Sequence, residues 1–369
     1  MPPVVYTVTQ NIGALDGGNL SDEVDPCTVR RTNLFWQSFA EWIKECSADV
    51  VVMHVQEIGG KRYHSLFQEL FDSTSRSALP SDEYWCSGLL MFADVGAGFT
   101  ALGTLIWVRS TLLSRTKIYN YAMGAYVALP AQIPLTLSTT QFGVSHKLTE
   151  AEKSRKGVFF THLLIGERKM FFTNIHLYHD VDNLGAIHKS PSVYAEKRVR
   201  GLVESIQVLL TKGGASLSDS IYVFGDFNTR LDGLGFVQES NTKDTEKVRI
   251  EQKFIHMSPE LWAQFSTPSA WPALRKYDKE GQVMMDAVAK THKVHLCELP
   301  REFGPSYSIM NEEGLPECGS YREERLPAWC DRVFVNTVGL AAVSEFQYWI
   351  CPLHILDHRG VYLMFTLLE

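Results

Sequence analysis

The sequence predicts an α/β protein in which two mixed sheets pack face to face with helices outside. Three observations carry this. Short apolar strands alternate loosely with amphipathic segments of helix length, as layered α/β architectures require. Several neighbouring strands are joined with no helix between them, so the sheets are not purely parallel. The 369 residues are 45% hydrophobic, with 8 Trp, 14 Tyr and 20 Phe, enough apolar volume for a large core. Length alone allows two domains. No Pro/Gly/Ser-rich linker, repeat or low-complexity tract divides the chain, so a single domain spanning 1–369 is expected.

The opening reads as strand 4–9, a loop, a helix and strand 50–55. Asp25 is the expected N-cap of the helix and Pro26 its first residue. Phe35, Trp36, Phe39, Trp42, Ile43 and Cys46 then recur at helical period, an apolar stripe for a sheet to cover. Residues 88–99 are apolar and flanked by Gly. They read as a buried strand in preference to an exposed apolar loop. Further strands are expected at 103–108, 157–164, 169–177, 220–224, 332–335 and 360–367. The paired Phe residues 159–160 and 171–172 flank a turn containing Gly166 and predict a hairpin. A helix over 193–210 closes at Gly213-Gly214. The uncharged run 118–145 holds Pro130 and Pro134 and reads as strands and turns, while 240–300 reads as helical and irregular.

Net charge is −7, with a pI near 6.0, so no global positive field holds a polynucleotide. Small anionic substrates remain open, because a local cluster of Lys and Arg suffices for them. Seven cysteines include no CxxC pair, which argues against a zinc ribbon or a disulfide framework and for reduced thiols in a cytosolic protein. The first residues lack the basic and apolar regions of a signal peptide, so none is expected.

Polar residues gather where apolar strands end. Asn11 follows the first strand and Glu57 the second. His176 and then Asp226-Phe227-Asn228 end two later ones. Asp331 opens another, and Asp357-His358 precede the last. Taken singly, each is a loop residue, a turn former or a satisfied histidine. Taken together, they are the oxygen ligands, hydrogen-bond donors and base of a Mg²⁺-dependent phosphoester hydrolase.

Two segments carry a family resemblance. Val223-Phe224-Gly225-Asp226-Phe227-Asn228-Thr229-Arg230 and Arg325-Leu326-Pro327-Ala328-Trp329-Cys330-Asp331-Arg332-Val333 resemble the signature motifs of inositol polyphosphate 5-phosphatases. The segments from His54 to Lys61, Arg155 to Gly157, Asn174 to Asp180 and Ser190 to Tyr194 look like the type I enzyme. The resemblance implies the four-layer α/β/β/α sandwich of DNase I and the abasic-site endonucleases. It implies Glu57 as principal Mg²⁺ ligand, with Asn11 and Asp357 nearby. Asp226 would orient and deprotonate the attacking water, with Asn228 fixing its position. His358, held by Asp331, would donate to a phosphate oxygen, and His176 would be a second donor. The reaction implied is in-line attack of water without a phosphoenzyme.

Lys156, Arg325 and Arg332 match family basic positions for substrate phosphates. Lys61 and Arg198 rest on the type I likeness, and a solvated surface charge is the alternative for each. The substrates implied are soluble inositol 1,4,5-trisphosphate and 1,3,4,5-tetrakisphosphate, whose hydrolysis ends a calcium signal. Three alternatives stay open: phosphoinositide lipids at a membrane surface, nuclease chemistry on the same fold, and a catalytically silent inositol-phosphate binder. Thr229 stands where the family has an aromatic, Leu356 where it has a small residue, and Arg359-Gly360 where it has a basic residue and Pro. The chain ends Leu367-Leu368-Glu369 without the cysteine of a prenylated CaaX box. A cytoplasmic monomer is therefore expected, membrane-associated only if such a tail follows.

Overall fold

A computed structural model describes residues 2–16, 24–59, 65–94, 99–134, 141–149, 156–241, 243, 245–251, 254–310, 321–353 and 356–368. Two sheets form its centre. In the first, the strands run in the order Val343–Ile350, Val361–Leu367, Val4–Asn11, Val50–Gln56, Phe99–Arg109 and Tyr84–Cys86, with Leu90–Asp94 also on Phe99–Arg109. In the second, the order is Leu296–Cys297, Asp331–Asn336, Ser220–Asp226, Arg168–His176, Gly157–Ile165, Thr116–Asn120 and Ala125–Ala128, with Val144–Lys147 also on Gly157–Ile165.

Each sheet has one parallel pair at its centre. Val4–Asn11 runs parallel to Val50–Gln56 through the helix Pro26–Cys46. Arg168–His176 runs parallel to Ser220–Asp226 through the helix Ala195–Thr211. The first helix starts as expected, with the Asp25 carboxylate accepting from the N–H groups of Cys27 and Thr28. The expected hairpin forms with Phe160 opposite Thr173, and Gly166 takes the turn at φ +60°, a conformation that favours glycine.

Alternation along the strands sorts the core into three apolar layers. Val50, Val52, Phe172, Tyr222, Phe224 and Phe365 lie between the sheets. Val51, Met53 and Val55 face the other way, onto Phe35, Trp36 and Phe39 of the first helix. Phe171, Ile221 and Val223 pack on Leu202, Ile206 and Leu209 of the second helix and on Met284 and Val288 of the helix Glu280–His292. The result is the expected α/β/β/α order. Leu89, Leu90 and Met91 are buried, as the strand reading of this segment requires, while 95–98 lie outside the described residues. The strand Val343–Ile350 was not expected, because as a sheet edge it buries few side chains and lacks clean alternation. Between 240 and 300 the helices Pro259–Ser266 and Glu280–His292 accompany a small hairpin, Val248–Glu251 with Phe254–Met257. Among the described residues no helix is long and apolar enough to cross a membrane.

Between the sheets the filling turns polar towards one rim. His54 stacks on the Phe224 ring at 3.6 Å and donates from Nδ1 to its carbonyl, and Gln56 donates to Asn174 at 2.9 Å. Burial pushes the His54 imidazole down to about 3, against a weak opposing pull from the Phe224 carbonyl, and pushes His162 down to about 3 as well. The unfolded chain binds these protons near pH 6.5 while the folded chain does not. Stability is therefore full above that pH and falls as pH drops towards 3, by up to about 1.4 kcal/mol per pH unit for each histidine. Urea unfolding between pH 7 and 5 checks this: the decline is expected to be shallower in His54→Gln than in wild type.

Candidate active site

The rim follows from topology. Parallel strands end on the same side, so Asn11, Glu57, His176 and Asp226 arrive together at the carboxyl ends of the two central pairs. Antiparallel neighbours begin where these end. Asp331 pairs with Asp226, and the strand that follows Asp357-His358 enters with Val361 opposite Thr9. A cavity of about 320 Å³ opens there, lined by Asn11, Glu57, Lys156, His176, Asp226, Asn228, Arg325, Asp357 and His358 of the expected set.

Asp226 sits at its centre, buried. Oδ1 accepts from the Asn228 backbone N–H at 2.9 Å and Oδ2 from the Asn11 amide at 3.2 Å, with His176 Nε2 at 3.4 Å. Burial alone would raise its carboxyl, but His176, His358 and Lys156 outweigh that and hold it well below the ordinary carboxylate range. Asn228 reaches its place at φ +53°, a left-handed conformation that Asn tolerates better than most residues.

Asp331 accepts from His358 Nδ1 at 2.9 Å, leaving the other ring nitrogen for the cavity that His358 lines. The Tyr307 ring stacks on this imidazole at 4.1 Å. Burial disfavours the charged ring, yet the carboxylates of Asp331 and Asp226 prevail and lift His358 to about 9. At neutral pH it is an imidazolium. His176 is the opposite case: burial and the Lys156 ammonium push it down, and its Nε2 accepts from Lys156 Nζ at 2.5 Å. Its Nε2 thus lies between the Lys156 ammonium and the Asp226 carboxylate.

The expected metal set fits a hard divalent cation. It offers only oxygen ligands, as Mg²⁺ or Ca²⁺ prefers. Asp357 Oδ1 is buried without a hydrogen-bond partner. Glu57 follows its strand at φ +58°, and its Oε2 lies 2.3 Å from where a Cβ on residue 13 would stand, so only glycine leaves it room. Asp226, Asp331 and His358 also bring ligand atoms within 4.8 Å of one another. The charged His358, already bonded to Asp331, makes that trio the poorer cage, since a ligating imidazole must be neutral.

Two expected substrate residues point elsewhere. Strand alternation turns Asp331 inward and therefore turns Arg332 to the opposite face. There Arg332 is buried, paired with Asp278 and Glu298 and donating to the Trp329 carbonyl and Thr229 Oγ1. Arg198 shares the buried stripe of its helix with Leu202, Ser205, Ile206 and Leu209, so it faces the sheet. Its Nε and Nη2 clasp Glu280 at 2.8 and 2.7 Å, and Nη1 holds Asp180 at 2.6 Å. Neither arginine lines the cavity. Lys61 and Arg155 lie outside the described residues.

Arg230, Arg322, Tyr307 and His179 line the cavity and were not singled out from the sequence. Arg230 ends the first motif itself, and Arg322 stands three residues before Arg325, so basic residues beside the motifs were the available signal. Tyr307 is held by Arg325, whose Nη1 donates to its hydroxyl at 2.5 Å. The motif departures are accommodated. Thr229 Oγ1 donates to the Trp329 carbonyl at 2.6 Å and accepts from Arg332 Nε at 3.0 Å, tying the two motifs together. Gly360 leaves space for Gln10, whose Oε1 lies 2.5 Å from where a Cβ would stand. Leu356 fills the layer beside the first helix.

Carboxylates, an imidazolium and four cations around one small cavity, on this sandwich, define a phosphoester hydrolase of the DNase I-like fold. The chain belongs to endonuclease/exonuclease/phosphatase family 2, whose model matches residues 36–364. It is 26% identical over 411 residues to the inositol polyphosphate-5-phosphatase A of Homo sapiens, covering 99% of this chain and 93% of that protein. It is 24% identical over 432 residues to a probable type I inositol 1,4,5-trisphosphate 5-phosphatase of Caenorhabditis elegans, covering 98% of each. The motif-level resemblance therefore holds along the chain. Among solved structures, the 5-phosphatase domain of SPsynaptojanin, in complex with inositol (1,4)-bisphosphate and a calcium ion, matches with TM-score 0.59 at 17% identity, over 99% of this chain and 84% of that one. A Cimex nitrophorin solved as a ferrous NO complex matches with TM-score 0.56 at 14% identity, over 100% of this chain and 99% of that one. The fold alone thus carries unrelated chemistries, and the site has to carry the function.

Proposed function

We propose that the protein is a Mg²⁺-dependent phosphatase that removes the 5-phosphate of soluble inositol polyphosphates, inositol 1,4,5-trisphosphate and 1,3,4,5-tetrakisphosphate, and so ends the calcium signal they carry. The observation that supports this most is a single cavity in which Asp226 and the His358–Asp331 pair face Lys156, Arg230, Arg322 and Arg325. A scissile phosphate needs the first group, and further phosphates need the second. The names of the relatives supply the 5-position.

Glu57 and Asp357, with Asn11 beside them, would hold the cation, which supplies charge neutralisation on a non-bridging phosphate oxygen. Asp226 accepts a hydrogen bond from the attacking water and aligns it with phosphorus. A carboxylate held so low is a weak base, so orientation is its larger contribution, and the proton transfers as the new P–O bond acidifies the water. His358 donates from its free ring nitrogen to a phosphate oxygen as charge builds. Lys156, supported by His176, neutralises the same phosphate, while Arg325, Arg322 and Tyr307 take a neighbouring one. Tyr307 is fixed between His358 and Arg325 for that task.

A soluble substrate is favoured over a lipid because Leu89, Leu90 and Met91 are buried instead of forming an exposed apolar loop. Net charge −7 weighs against nucleic acid. The free thiols suit a reducing cytoplasm, and we read the protein as a monomer there.

Phosphate release from a panel of soluble and lipid inositol phosphates, with and without Mg²⁺, tests reaction, cofactor and substrate together. Nicking of abasic DNA in a parallel assay with no phosphate release from the panel, or release from the lipids alone, would overturn this reading. In the same assay, Arg325→Ala is expected to raise KM about tenfold or more with a smaller change in kcat, because it removes binding shared by ground and transition states.

A further inference from the structure

Behind the cavity wall four charges stand in a row: Glu280, half-buried, then Arg198, Asp180 and Arg230, all buried. We propose that Asp180 and Arg198 are positioning residues for the hydrolysis, holding Arg230 in place from behind; this rests on the function proposed above. The row is ordered by hydrogen bonding. Arg198 spends Nε and Nη2 on Glu280, at 2.8 and 2.7 Å, and keeps Nη1 for Asp180 at 2.6 Å and the Tyr178 carbonyl at 3.1 Å. Asp180 is thereby fixed through Oδ1, and its Oδ2 lies 3.9 Å from Arg230 Nε. That nitrogen is buried and has no hydrogen-bond partner, so the Asp180 carboxylate is the charge that faces it.

Arg230 in turn touches the reacting region. Its Nη2 donates to Asn228 Oδ1 at 3.0 Å, its Nη1 to Cys330 Sγ at 2.6 Å, and its guanidinium lies 5.4 Å from the Tyr307 ring centre. Asn228 is the residue whose backbone N–H holds Asp226. A space of about 30 Å³ lined by Asp180, Arg230 and Arg325 leaves the guanidinium somewhere to go once Asp180 releases it. Glu280 already neutralises Arg198. The carboxylate of Asp180 is therefore not needed to balance Arg198 and is placed for the second arginine. The four charges sum to zero, so the three buried ones are balanced with Glu280 at the more exposed end of the row.

A double-mutant cycle on the full chain separates positioning from mere support. Asp180→Asn is expected to lower kcat/KM for inositol 1,4,5-trisphosphate by about tenfold or more. In an Arg230→Met background the same change should alter it by less than about twofold, because the group it positions is gone. Equal losses in both backgrounds, or no loss in wild type, would overturn the proposal. Should Asp180→Asn not fold, Asp180→Glu keeps the charge, shifts the carboxylate by one methylene and enters the same cycle with the same criteria. Wild-type turnover is measured first. If wild type releases no phosphate, the proposed function fails on its own. The cycle is then read on inorganic phosphate binding, through the rise in unfolding midpoint: coupling between positions 180 and 230 supports the row, and additivity overturns it.

Discussion

Asp226→Asn is expected to lower kcat for phosphate release by on the order of 10²–10⁴ while the protein stays folded. The substitution keeps the volume and the acceptor for the Asn228 N–H. It removes the charge that, in the proposed mechanism, aligns the nucleophile. It also removes one of the carboxylates that lift His358 to about 9, so the second catalytic group weakens with the first. His358→Gln should cost a similar factor, since the Asp331 carboxylate is then left buried without its cation. Because the proposed mechanism places both on one phosphate, the double variant should lose little more than either single one. Stopped assays at saturating substrate and Mg²⁺, with an unfolding curve for each variant, decide the matter. Wild-type turnover in either folded variant would remove Asp226 and His358 from the chemistry.

Much of this site was legible because chemistry and topology coincide in the sequence. Glu57, His176 and Asp226 each follow an apolar strand, and parallel strands joined by helices must end on one side. The residues before antiparallel strands, Asp331 and His358, join them by the same logic. What the linear sequence did not separate was the direction of a side chain from its place in a motif. Arg332 follows Asp331 directly, and strand alternation makes neighbours face opposite ways. Arg198 sits in step with Leu202, Ile206 and Leu209, so helical period alone assigns it to the buried face once the stripe is traced. The remaining cavity residues, Tyr307 and Arg322, come from irregular segments with no period to read. Their positions depend on tertiary contacts: the Ile309 N–H donates to the Asp357 carbonyl, and the Tyr307 ring lies on His358.

The reassignment of Arg332 has the largest consequence for stability. Its guanidinium bonds Glu298 at 3.0 Å and pairs with Asp278, and Arg301 bonds the same two carboxylates from the other side. Burial would weaken its charge, but Asp278 and Glu298 outweigh that and raise it above the ordinary guanidinium range. Arg332→Met fills much of the volume yet leaves the Asp278 and Glu298 carboxylates sharing one arginine, and it removes the guanidinium hydrogen bonds to Thr229 Oγ1 and the Trp329 carbonyl. Breaking a buried network from one side costs about 3–5 kcal/mol, a large fraction of the stability of an ordinary domain. Lysine would not rescue it, because a point charge cannot bond Glu298, Asp278, Thr229 Oγ1 and the Trp329 carbonyl as the planar guanidinium does. Urea unfolding should show this loss, while KM in the folded fraction stays near wild type. If stability held and KM rose about tenfold, Arg332 would belong on the substrate wall and the alternation argument would fail at this strand.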